Sequence, residues 1–253
     1  MIQPGPAAIL SGTVGQYRHA MVVKIDFKFV MMKRELIITQ DGSHSIAIDQ
    51  TNITYHSRYG AIRESTHIYI ESGLKKLLHQ KPCINIFEMG FGSGLNALLT
   101  LISTVEHNQE VYYETIDESY LENQFFEKLN YCRELKKPGL QSAFIQLHLC
   151  ESEKEVAVNS FFRFKKSQGS FQHYIFNKSF DIIFYDAFAP AAQPELWTGY
   201  IFMKLFEALN AGGVLVTYCS KGCVQRAMKV AGFVVEKLPG PPHKREILRA
   251  IKV

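Results

Sequence analysis

The chain has 253 residues, enough for one large α/β domain with a substantial core or for two small ones, and its composition is that of an ordinary soluble protein. Lys plus Arg exceed Asp plus Glu by 28 to 24, so the net charge of +4 permits a nucleic-acid partner without demanding one. No apolar run approaches a membrane span and no signal peptide is present, while the five cysteines are odd in number and scattered, the usage of a reducing, cytoplasmic compartment. Cys219 and Cys223 form C-x-x-x-C without a second ligand pair, so no metal is assigned.

Residues 1–34 mix Pro, Gly and short apolar pieces without a period and read as a leader or an over-long gene start. From Glu35, ELIITQ and SIAIDQ read as two strands around the Asp41-Gly42 turn. A polar, aromatic loop from Tyr55 to Gly60 then leads into a helix. It is too polar for core and too rich in Tyr, His and Arg for a plain linker, and reads as a lid, with a surface loop packed on its helix as the alternative. Residues 35–80 thus make an N-terminal hairpin and lid, and 81–253 the main domain.

The stretch CINIFEMGFGSGLN, Cys83 to Asn96, organises that domain. An apolar strand ends in Glu88, glycines follow at 90, 92 and 94, and a helix begins near Ser93. Such a turn brings backbone close to a ligand and aims the helix's free N–H groups at it. The carboxylate of Glu88 would repel a pyrophosphate and favours a cationic ligand; S-adenosylmethionine carries a sulfonium and an ammonium. The glycine pattern alone leaves a dehydrogenase-type or a purely structural turn open. VYYETID follows as a strand ending in Asp117, placed to accept the hydroxyls of an adenosine ribose whether the ligand is NAD or S-adenosylmethionine, with Glu118 as the adjacent candidate.

SYLENQFFEKLNYCRELKK reads as a second amphipathic helix ended by Pro138-Gly139, and AFIQLHLC as the third strand. Residues 151–178 read as a β excursion at the surface, whose FFRFKK run is a half-buried strand before it is a nucleic-acid contact. FDIIFY is the fourth strand, with Asp186 at its carboxyl end; in an open parallel sheet this brings Glu88, Asp117 and Asp186 together. A helix follows in which Trp197 packs, then strand GGVLVTYCS, helix KGCVQRAMKVAG, and a terminal hairpin. Seven strands with the last inserted antiparallel is the Rossmann-like architecture of class I methyltransferases, whereas a dehydrogenase would repeat a βαβαβ half.

The loop YHSRYGAIRESTHIYI, the turn EMGFGSGLN, the segment YDAFAPAAQPELWT, the strand GGVLVTYCSKG and the terminal KRE together resemble the methyltransferase part of the MnmC-type enzymes of tRNA 5-methylaminomethyl-2-thiouridine biosynthesis. The resemblance runs from about Glu35 to Val253, and the D-x-F-A-P-x-x-x-P-x-x-W pattern from Asp186 to Trp197 is its most specific part. Two departures stand out: Asp117 replaces a Glu, and His243 precedes KRE. The chain leaves no room after KRE for the family's FAD-dependent oxidase, so the expectation is a stand-alone methyltransferase acting on the 5-aminomethyl group.

The resemblance implies S-adenosylmethionine held by Glu88, Gly90, Gly92, Gly94, Asn96, Asp117 and Asp186. It further implies Asp186 as the group that accepts the amine's proton or positions the amine, and tRNA, at its anticodon region, as partner. Tyr55, Ser57, Arg58, Glu64, Phe188, Lys221, Lys244 and Arg245 are the expected contacts to the uridine and the RNA backbone, with Glu246 able to engage Arg245 instead. Direct displacement by the amine would need alignment and proton removal above all. The rival readings are a small-molecule amine methyltransferase or aminopropyltransferase, and a non-catalytic RNA-binding module.

Overall fold

The computed structural model describes residues 33–253. The leader assigned to residues 1–34 falls almost wholly outside them.

Strands β1 (Arg34–Ile38) and β2 (His44–Ile48) pair antiparallel around the Asp41-Gly42 turn, as their alternation predicts. Asp41 fixes that turn, accepting from Thr39 Oγ1 at 2.8 Å and from the Ser43 N–H at 3.1 Å, and also caps helix α1 (Ala61–Ser65) through the Arg63 N–H at 2.9 Å. Helix α1 continues without a break as a wide π-helical turn, Thr66–Glu71, which carries the buried Tyr69. π-turns recur at functional sites, where they re-aim a side chain.

The main sheet comprises β3 (Cys83–Met89), β4 (Glu110–Asp117), β5 (Val156–Asn159), β6 (Phe162–Gln168), β7 (Phe180–Tyr185), β8 (Leu209–Thr217), β9 (Val234–Pro239) and β10 (Glu246–Ile251). Its order is β5-β6-β4-β3-β7-β8-β10-β9, with β6, β4, β3, β7 and β8 parallel, β10 inserted antiparallel between β8 and β9, and β5 antiparallel at the edge. The seven-stranded arrangement expected from the sequence is present, and β5 makes it eight. The small N-terminal β addition completes the α/β fold.

Connections around the sheet are α2 (Leu95–His107), α3 (Asn123–Phe126), α4 (Tyr131–Glu134), α5 (Gln141–Leu149), α6 (Gly199–Ala208) and α7 (Gly222–Val230). Two expectations are corrected here. The predicted second long helix is two short ones, α3 and α4, separated by residues 127–130; the Asn130 amide holds the β1–β2 turn, donating to the Gly42 carbonyl at 2.9 Å and accepting the His44 N–H at 2.8 Å. The predicted third strand, AFIQLHLC, is helix α5, whose Phe144, Leu147 and His148 share one buried helical face. The third parallel strand is instead β6, part of the segment read as a surface excursion. Its charges are absorbed locally: Lys165 pairs with the buried Glu114 at 2.9 Å and Lys166 lies over the Tyr120 ring at 4.5 Å.

Two cores cover the two faces of the sheet. Because strand side chains alternate, Ile84 and Ile86 of β3 and Ile182 and Phe184 of β7 enter one core, while Phe87, Met89, Ile183 and Tyr185 enter the other. Extending the same parity puts Glu88 and Asp186 on the first face, the face covered by α2 and the π-turn. Val111, Tyr113 and so Asp117 share that parity on β4.

Candidate active site

The turn after β3 is set by glycines whose φ angles are +91° at Gly90, +53° at Gly92 and +74° at Gly94, a region that disfavours side chains. The backbone carbonyl of Asp186 lies only 2.8 Å from where a Cβ on Gly90 would stand, so the glycine is what allows the ends of β3 and β7 to meet. Ser93 anchors the turn from beneath. Its hydroxyl bonds the buried His56 ring at 2.7 Å and accepts from Tyr131 at 2.9 Å, and its carbonyl meets the His148 ring at 3.2 Å. Burial lowers the His56 pKa to about 4, so this imidazole stays neutral and structural.

Asn96, in the first turn of α2, joins the two acids. One amide nitrogen, Nδ2, donates to Glu88 Oε1 at 3.0 Å and to Asp186 Oδ2 at 2.8 Å. Burial pushes Glu88 well above the usual carboxylate range; Asn96 opposes that, the nearby Asp186 charge adds to it, and the Tyr113 and Thr115 hydroxyls face it without reaching hydrogen-bond geometry. Burial likewise raises Asp186 to about 6, opposed by the facing Tyr69 hydroxyl and by Asn96, reinforced by Glu64 and opposed again by Lys244. Among the described residues, Glu88 Oε2 and Asn96 Oδ1 are buried acceptors with no hydrogen-bond partner.

Asp117 accepts the Gly92 N–H at 3.0 Å through Oδ2 and the Ser119 N–H at 3.0 Å through Oδ1, so the second strand's acid braces the glycine turn. Burial raises its pKa against those two N–H groups and Arg34. Arg34 lies almost fully buried beside it, bonded to Glu122 at 2.9 Å and Ser119 Oγ at 3.2 Å.

The loop from Tyr55 to Gly60, read as a lid from the sequence, lies against this row of acids. The Tyr55 ring passes 3.4 Å from the Cβ position of Gly92 and meets Phe188 edge-on at 5.4 Å. Burial, opposed by Arg34 and reinforced by Asp117, lifts its phenol to about 12. Phe188 receives the Trp197 indole N–H at its carbonyl, 2.8 Å, which gives Trp197 an anchoring function beyond packing. Glu64 accepts the Ser57 N–H at 2.8 Å and pairs with Lys244 at 2.8 Å, and Lys244 also lies over the Tyr218 ring at 4.6 Å. Next to it, His243 stacks on Tyr59 at 4.1 Å. Arg58, Lys221 and Arg245 are exposed. Glu246 is 3.9 Å from Arg245 but holds Lys237 at 3.0 Å. Thus Glu88, Asn96, Asp117, Asp186, Tyr55, Phe188, Glu64 and Lys244 converge, whereas Arg58, Lys221 and Arg245 stand outside the cluster. Sequence reasoning missed Tyr69, Tyr218 and Arg34, which sit in ordinary strand and helix contexts and announce nothing by type or spacing.

Among the described residues no cluster of three or more His, Cys, Asp and Glu could hold a metal, and all five cysteines are free thiols. No described helix is long and apolar enough to cross a membrane.

An open parallel sheet with a glycine turn, acids at three strand ends, of which Glu88 is buried and Asp117 and Asp186 part-buried, and unpartnered acceptor oxygens defines a site for a cationic nucleoside ligand. Residues 120–253, more than half of the chain, match the S-adenosyl-L-methionine-dependent methyltransferases, and the chain belongs to that family. S-adenosylmethionine fits the residues present: Glu88 Oε2 and Asn96 Oδ1 offer acceptors to its ammonium, and the glycine turn admits its close approach.

Among curated relatives, the tRNA 5-methylaminomethyl-2-thiouridine biosynthesis bifunctional protein MnmC of Magnetococcus marinus is 28% identical over 217 residues, covering 79% of this chain and 31% of that protein. The protein of the same name from Nitrosospira multiformis is 46% identical over 69 residues, covering 27% of this chain and 11% of its own. The chain therefore spans at most about a third of the length of these relatives. The crystal structure of MNMC2 from Aquifex aeolicus superposes with a TM-score of 0.72 at 25% identity, covering 88% of this chain and 71% of that one.

Proposed function

We propose that this chain methylates the amine of a 5-aminomethyl group on the wobble (2-thio)uridine of tRNA, giving the 5-methylaminomethyl nucleoside, in the cytoplasm and with the anticodon region as its docking partner. The names of the relatives support the substrate, and the site supports the chemistry. The observation that carries the reading is the pair of carboxylates, the buried Glu88 and the part-buried Asp186, bridged by Asn96 at the carboxyl end of the sheet.

When bound, S-adenosylmethionine supplies a methyl group made electrophilic by its sulfonium. Glu88 and Asn96 hold the ammonium of the donor, the backbone of Gly90, Gly92 and Gly94 lines its path, and Asp117 keeps lone pairs for the ribose hydroxyls beyond those that Gly92 and Ser119 use. Asp186 serves the substrate. An aliphatic amine arrives protonated, and a carboxylate with a pKa of about 6 is charged at neutral pH, so it attracts the ammonium. Oδ1, the oxygen that Asn96 leaves open, takes the proton and frees the nitrogen lone pair. Tyr55 and Phe188 wall the crevice and exclude water.

Arg58, Lys221 and Arg245 are exposed on connections at this end of the sheet and suit phosphate contacts. Lys244, Glu64 and Ser57 hold one another and act as the lid's fastening. Nucleoside analysis of tRNA from a strain lacking the gene tests the reading: the 5-aminomethyl nucleoside accumulates and its methylated form disappears. Unchanged tRNA, with loss of a methylated small amine, would favour the small-molecule alternative.

A further inference from the structure

A fully buried carboxylate, Glu88, beside a part-buried one, Asp186, normally comes with a cation. Here, among the described residues, the only group that touches both is the uncharged amide of Asn96, which gives one hydrogen to each. The groups facing Asp186 are Tyr69 from the π-turn, Glu64 from α1, Tyr218 after β8 and Lys244 from the β9–β10 connection; those facing Glu88 are Tyr113 and Thr115 of β4. Lys244 is the sole cation of this set, and its charge is taken by Glu64 at 2.8 Å. Two full negative charges in this place are therefore uncompensated, which burial makes costly. The compensation has a prepared seat: among the described residues Glu88 Oε2, faced by the Tyr113 and Thr115 hydroxyls outside hydrogen-bond geometry, and Asn96 Oδ1 are buried acceptors left unpaired.

We propose that Asn96 is a positioning residue that makes Glu88 and Asp186 a single unit, so that both carboxylates become charged together when a cationic methyl donor enters the crevice. The unliganded protein keeps a proton on the pair, and donor binding expels it. Through this coupling the pair reaches its full double charge only after the donor is in place, which deepens the reading above and rests on it. The pair titrates as one system, so no single proton belongs to one residue.

Calorimetry of the wild-type protein with S-adenosylmethionine, in two buffers of different ionisation heat at about pH 6, reads the expelled proton directly. Net proton release and an affinity that climbs between about pH 5 and 7, then levels, are expected. Binding without proton exchange across that range would overturn the proposal, and this arm needs no variant. In Asn96→Ala, checked for folding by circular dichroism, the acid limb of the kcat/KM profile moves up by about one pH unit, the scale of one lost hydrogen bond to a carboxylate. A rate lowered equally at every pH, with the limb in place, would make Asn96 merely structural. The two readings fail separately. Proton release without methylation of tRNA would sink the substrate assignment alone, whereas methylated tRNA with an unmoved limb and no proton release would sink the coupling alone.

Discussion

Lys244 Nζ lies 2.8 Å from Glu64 Oε1, an ion pair that spans 180 positions of sequence and fastens the terminal hairpin to the lid helix. Both side chains are largely shielded, and both act on Asp186 with opposite sign, Glu64 raising its pKa and Lys244 lowering it. Lys244→Met therefore moves the acid limb of the activity profile to higher pH, and Glu64→Gln moves it lower. Each single change also costs about 1 kcal/mol of stability, the scale of a partly exposed pair. Limbs moving in the same direction would contradict this account of the pair.

Asp186→Asn separates chemistry from binding. The amide keeps an oxygen for Asn96 but cannot accept a proton, so donor binding persists while turnover falls by roughly 10²-fold, and raising the pH partly restores it by freeing the amine. Loss of donor binding as the sole defect would move Asp186 to a purely cofactor-holding role.

The same variant changes stability in a definite pH window. A folded-state pKa of about 6 means that the native chain binds more protons than the unfolded chain between about pH 4 and 6, so this residue's contribution declines as pH rises through that range. In Asp186→Asn the decline is absent. Its melting temperature should match wild type near pH 4 and exceed it by roughly 6–12 °C above pH 7, the response expected for the ~3 kcal/mol that a shift from 3.8 to about 6 carries in a chain of this size. Scanning calorimetry at the two pH values decides.

The glycines of the turn should differ in their tolerance. At Gly90 an added Cβ meets the Asp186 carbonyl at 2.8 Å, a backbone atom that cannot step aside, at φ +91°. Gly90→Ala should cost about 2–3 kcal/mol and displace Asp186, abolishing turnover. At Gly92 the nearest atom is a Tyr55 ring carbon at 3.4 Å, so Gly92→Ala carries mainly the conformational penalty of about 1 kcal/mol. Denaturant unfolding of both variants checks the order.

The sequence announced the site better than the fold around it. Glu88, Asp117 and Asp186 were legible because a buried apolar strand ending in an acid is a sharp local signal, and the parallel sheet gathers such ends. AFIQLHLC misled because its apolar positions satisfy a period of two as well as a helical one; only the packing of Phe144, Leu147 and His148 on one side selects the helix. FFRFKK reads as a half-buried strand, but its place inside the sheet as β6 is masked by Arg163, Lys165 and Lys166, whose charges look solvated until Glu114 and the Tyr120 ring appear beside the lysines from β4 and the loop after it. The bridging contacts of Asn96 and the Lys244–Glu64 pair had no sequence signal, since they depend on distant segments meeting.

Methyl transfer to defined RNA tests the central claim most directly. Purified protein is incubated with S-adenosylmethionine labelled on its methyl group and with three acceptors: tRNA carrying 5-aminomethyl-2-thiouridine at the wobble position, the same tRNA without the aminomethyl group, and free small amines. The account predicts label only in the first, recovered as 5-methylaminomethyl-2-thiouridine after digestion. Label in the free amines with none in the aminomethyl tRNA would contradict it.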